Sequence, residues 1–160
     1  MRLEMDGISE LIGQLELLAE EADEMYKRAA YAGASVLADE VKKGLNGLKV
    51  VKARWGTAGN PLEGVTKTAK SDLIAAMGVS KIENDGQKTT VSVGFHGYGS
   101  RPTKKYPQGI PNQMLMRSVE SGTSFMRKQP VVRAAVNRAK KQVDSAIEKE
   151  ITDFLQKRIK

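Results

Sequence analysis

Ile8, Leu11, Ile12, Leu15, Leu18, Ala22, Met25, Ala29, Ala32, Val36 and Leu37 recur at steps of three and four, with polar and charged residues between them. That spacing lays them along one stripe of a long amphipathic helix. Asp6 suits the N-cap, and acids crowd the first turns, where the helix dipole favours negative charge. Gly44 and Gly47 are expected to end the helix. The stripe turns from Leu-rich to small at Ala29-Ala30-Tyr31-Ala32-Gly33-Ala34, where another backbone could approach closely. A second stripe runs through Val132, Ala135, Val136, Ala139, Val143, Ala146, Ile147, Ile151, Phe154 and Leu155 and predicts a C-terminal helix. Pro130 opens it, where a fixed φ suits the first turn and a missing N–H costs nothing.

Between the helices the periodicity changes. Over 46–70 it fails among Gly47, Gly56, Gly59, Pro61 and Gly64, which predicts a long irregular loop. A short helical turn is expected over Ser71–Met77. Val79–Ile82 and Thr89–Phe95 predict two strands flanking Asn84-Asp85-Gly86, a turn sequence suited to an antiparallel hairpin. Val91, Val93 and Phe95 alternate with polar residues and give that hairpin one apolar face. A second long loop, rich in Gly, Pro and Lys, spans 96–112, and Met114–Val119 returns to packed structure as a strand or short helix. There is no internal repeat. The pattern predicts a single α+β domain over 1–160, with two long helices on a small antiparallel sheet. Its two loops are expected to be flexible in the free subunit, because they offer little apolar surface to offset ordering entropy.

Composition narrows the chemistry. Apolar residues make up 40% of the 160 and aromatics only 5%, so the core must come from Ala, Val, Leu, Ile and Met. The absence of cysteine excludes disulfides and thiolate metal sites. No apolar signal segment opens the chain and no run approaches the roughly 18–20 apolar residues a membrane span needs, so a soluble protein is expected. The single histidine, His96, rules out His-pair metal sites and stands at a strand end with no acid nearby in sequence. Glu20 and Glu24 share a helical face but lack His or Cys neighbours, and read as solvated. Ser118, Ser121 and Ser124 lie outside any nucleophile elbow, and neither Gly-rich segment has a phosphate-loop spacing. The expectation is a non-enzymatic protein with no cofactor, no metal and no catalytic residue.

The distribution of charge says more than the net +7. Residues 1–25 hold eight acids against Arg2, 42–70 hold seven bases against Glu63, and 96–141 hold ten bases against Glu120. Such segregation suits nucleic-acid binding, and equally the head-to-tail packing of identical subunits. Lys49, Lys52, Arg54, Arg101, Lys104 and Lys105, with Trp55 and Tyr106 among them, are the candidate contacts to DNA or to a partner.

One segment is more specific. Glu120-Ser121-Gly122-Thr123 is followed after five residues by Gln129-Pro130-Val131-Val132-Arg133-Ala134-Ala135. It is similar to the neck and tail-completion family of long-tailed bacteriophages, which carries Glu-x-Gly-Thr before a Pro-opened C-terminal helix. The layout matches as well: a long N-terminal helix after Gly7, a polar loop, Leu73-Ile74, a hairpin ending in Val-Gly, and a basic last helix. Val131 departs from the Phe usual there, Ala134 from a frequent Pro, and a Thr-Gly pair expected before Leu73 is missing. The resemblance implies a virion protein at the head–tail junction, assembled in the host cytoplasm. It also implies a homo-oligomeric ring of about six copies around the DNA path, a closed assembly of one repeated interface. Its partners would be other neck and tail proteins, with non-specific DNA contact possible, and Glu120, Gly122, Thr123, Pro130 and Arg133 would be structural motif residues. From another class, the residues also fit a stand-alone basic nucleic-acid-binding protein.

Overall fold

The computed structural model describes residues 8–85 and 88–157, with side chains from residue 19 onward. Asp6, Gly86 and the side chain of Leu15 lie outside the described residues. The chain runs α1 (Ile8–Asn46), α2 (Lys67–Ala76), β1 (Met77–Val79), β2 (Glu83–Asn84), β3 (Thr89–Thr90), β4 (Val93–Phe95), α3 (Asn112–Ser121) and α4 (Val131–Gln156). The fold is α+β, with the long first and last helices packed together beside small antiparallel two-stranded sheets.

α1 has 39 residues, about 58 Å of helix at 1.5 Å per residue. α4 lies antiparallel along it: Arg28 meets Glu150 at 3.8 Å, and the Arg138 Nε donates to Glu40 Oε1 at 2.7 Å. Small residues set how closely the two approach. A Cβ on Gly33 would stand 3.0 Å from Ile147 Cδ1, and one on Gly44 would stand 2.6 Å from Val131 Cγ1. Gly44 therefore does not stop α1 as its identity suggests; it makes room for the start of α4. The helix continues to Asn46, and the Gly47 N–H donates back to the Lys43 and Gly44 carbonyls.

The core sits at the C-terminal half of α1. Val41 and Leu45 pack with Leu48, Val65, Leu73, Met116, Val119 and Ala135, all buried. The short turn expected at 71–77 is a three-turn helix beginning at Lys67, because the Thr66 Oγ1 accepts from the Ala69 N–H and caps it. Met114–Val119 belongs to a helix, α3.

The hairpin is antiparallel as expected but divided. β1 pairs with β4 (Met77 opposite Phe95, Val79 opposite Val93), and β2 pairs with β3 (Glu83 opposite Thr90). Between them the Ser80 N–H donates to the Ser92 carbonyl at 2.7 Å, while the Ser92 N–H donates to the Ser80 Oγ at 2.9 Å. A side chain has taken one backbone place in the ladder, which breaks its regularity. Val93 and Phe95 pack on the core.

Candidate functional site

The Glu120–Arg133 segment forms a joint between α3 and α4. The first N–H groups of any α-helix lack helical acceptors, and Pro130 at the head of α4 offers no side-chain cap. Glu120, in the last turn of α3, supplies it from 12 and 13 residues away: Oε2 accepts from the Val132 N–H and Oε1 from the Arg133 N–H, each at 2.9 Å. The carboxylate thereby sits at the positive end of the α4 dipole. Gly122 has φ +75°, and a Cβ there would stand 2.9 Å from the Lys128 N. Thr123 closes the reversal, its N–H donating to the Met126 carbonyl at 2.8 Å and its Oγ1 accepting from the Phe125 N–H at 3.2 Å. The Gln129 N–H donates to the Val119 carbonyl, and its side-chain Oε1 accepts from the Lys49 N–H.

The first loop docks on this joint by its backbone. The Leu62 N–H donates to the Phe125 carbonyl at 2.8 Å and the Arg127 N–H to the Leu62 carbonyl at 2.9 Å. Gly56 lies so close that a Cβ would stand 2.1 Å from the Phe125 carbonyl oxygen. Farther along, Val51 and Val65 are bonded across the base of the loop, and Leu48 and Val65 are buried. The second loop is closed by Gly99 N–H to Ile110 carbonyl at 2.8 Å and Asn112 N–H to Gly97 carbonyl at 3.0 Å. Ser100 donates from both N–H and Oγ to Asp72, and the Arg101 Nη2 donates to the Thr68 Oγ1 at 3.0 Å, tying this loop to α2. Both segments are irregular, as their sequences suggest. The base of the first, however, carries more apolar anchorage than its Gly, Pro and Lys content implies, since Leu48 and Val65 belong to the core.

Between the two loops lies an open groove of about 490 Å³. Leu62, Val65, Ala69, Ile110, Leu115 and Met126 give it an apolar lining, and Arg54, Trp55 and Arg101 stand among its walls. Trp55 is 83% exposed and Phe125, next to Met126, is 57% exposed. The groove brings together candidate cations from both loops, Arg54 and Arg101. Lys49 is instead paired with Glu63 at 3.4 Å, a carboxylate shared with Arg127 at 2.8 Å. Lys52, Lys104 and Lys105 are exposed away from the groove lining, with the Lys105 Nζ 5.7 Å from the Tyr106 ring centre. Its apolar lining residues carried no periodic signal, because they come from irregular loops and from three different helices and joints.

His96 is exposed, and its carbonyl accepts from the Nδ2 of buried Asn112 at 3.0 Å. Among the described residues no group of three or more His, Cys, Asp or Glu is arranged to hold a metal ion, and no helix is long and apolar enough to cross a membrane. A comparison of the chain with protein-family models, curated proteins and solved structures finds no significant match.

Proposed function

We propose that the protein is a non-enzymatic virion component that joins tail to head in a long-tailed bacteriophage, assembling as a ring around the DNA path. What carries the reading is the Glu120–Arg133 segment. Its residue pattern resembles that of neck and tail-completion proteins, and here those residues hold one structural joint through Glu120, Gly122 and Thr123. The segregation of sign along the chain supports it, since a ring built from one repeated interface needs complementary faces on each copy.

A second reading, a basic nucleic-acid-binding protein acting alone, is favoured by exposed Trp55 beside Arg54 and Arg101, a base-stacking surface flanked by cations. Light scattering coupled to size exclusion, with and without duplex DNA, separates the two. The assembly reading expects a multi-subunit species without DNA, and loss of that species when Arg101, Lys104 and Lys105 are replaced by Glu, with little change in weak DNA affinity. A monomer whose DNA affinity falls with salt at a log–log slope of roughly −0.9 per neutralised phosphate, and vanishes in the triple variant, supports the second reading and removes the first.

A further inference from the structure

We propose that the acidic, leucine-rich start of α1 in one copy docks in the Arg54–Trp55–Arg101 groove of a second copy. This deepens the assembly reading above and rests on it. The first observation is a difference in helix length. With Arg28 beside Glu150 and the helices antiparallel, equal rise per residue brings Gln156, the described end of α4, near the level of Ala22. α1 continues past that level for roughly 20 Å. Ile8, Leu11, Ile12, Leu15 and Leu18 fall on one helical face there by their spacing.

The second observation is position. The groove takes Val65 and Thr66 from the loop that pairs with Lys49 and Val51, just past the other end of α1. About 58 Å of helix separates it from Ile8 at the other end of α1, so another copy is needed to bring the two together. The third is complementarity. The groove offers an apolar lining, a largely exposed Trp55 and two arginines against one carboxylate, Asp72, which already accepts from Ser100. Residues 1–25 offer apolar anchors at helical spacing among eight acids and one base, the arrangement by which an amphipathic helix fills a groove. Pairing two such starts with each other would set acid against acid, so the contact joins unlike surfaces. A contact of that kind, repeated from copy to copy, closes into a ring or grows into a filament.

The test uses the full chain in three forms: wild type, Leu11→Asp with Leu15→Asp, and Trp55→Ala with Arg101→Glu. Light scattering should find a multi-subunit wild type and single-subunit variants whose circular dichroism is unchanged. Mixed in equal amounts, the two variants should form a two-subunit species and nothing larger, because one intact stripe then meets one intact groove. Trp55→Ala alone should weaken association about 30-fold or more, the scale of an interface hot spot. If both double variants assemble like wild type, this interface is wrong while self-assembly stands. A wild type that stays a single subunit at every concentration reached removes both ideas. A groove variant that still assembles but loses a labelled single-stranded oligonucleotide assigns the groove to nucleic acid and overturns the docking. If the stripe variant misfolds, the groove variant, changed only at exposed side chains, decides the matter alone.

Discussion

Glu120 does for α4 what the proline at the head of that helix cannot. Its two oxygens meet two first-turn N–H groups, so its removal leaves both without an acceptor and the dipole without its counter-charge. Glu120→Ala should cost about 1–2 kcal/mol in urea denaturation, with Glu120→Gln losing less because one oxygen can still accept. Arg133→Ala should change stability by less than about 0.5 kcal/mol, since this residue takes part through its N–H and its side chain is exposed. Equal losses at Glu120 and Arg133 would show that the side chain of Arg133, not the cap, holds the joint. Gly122→Ala should cost more than about 1 kcal/mol, because φ is positive and the new Cβ meets backbone. The residues of this joint were legible in the sequence, but the job of Glu120 was not. Capping patterns are read over three residues, and this carboxylate arrives from the preceding helix.

The two long helices show how far a periodic stripe can be trusted. Their existence, the opening of α4 at Pro130 and the close approach at Gly33 follow from the sequence pattern. The location of the core does not, because a stripe does not say how much of it a shorter partner covers. Leu45→Ala and Leu73→Ala, both at fully buried positions, should each cost about 2–5 kcal/mol. Ile147→Ala, at a half-buried site facing Gly33, should cost nearer 1–2 kcal/mol, toward the middle of the range for single substitutions. Thermal or urea unfolding that ranked Ile147 above Leu45 would move the core toward the helix pair. The clasp between α1 and α4 is also sensitive to acid. The hydrogen bond from Arg138, helped by Lys43 and opposed by partial desolvation, holds the Glu40 carboxyl below the ordinary carboxylate range. A carboxyl lowered in the folded state stabilises above its unfolded pKa, about 4.3, and loses that contribution as pH falls through the folded value. The wild-type urea midpoint should therefore exceed that of Glu40→Gln at pH 7, and the gap should close as pH falls below the ordinary carboxylate range. A gap that is constant with pH would mean the pairing contributes nothing through charge.

At the scale of the whole molecule, the α+β class and the segregation of charge could be read from the sequence, while the groove could not. Its lining is gathered from two irregular loops, α2, α3 and the joint before α4, and only folding brings Leu62, Ile110 and Met126 to one surface. The same architecture, in which the first and last helices pack against each other, bears on the rates of folding. Glu40 and Arg138 touch across a sequence separation of 98 residues, so this helix-rich chain must close a long loop before its largest helix contact forms. The hairpin and the α2–α3 region join residues much nearer in sequence and can form earlier. Stopped-flow measurements should find that Leu73→Ala slows refolding, whereas Ile147→Ala mainly speeds unfolding and leaves refolding almost unchanged. Were Ile147→Ala to slow refolding as much, closure of the helix pair would precede the barrier. In the expected order the helix clasp sets how long the native state lasts, and the centre of the core sets how quickly it is reached.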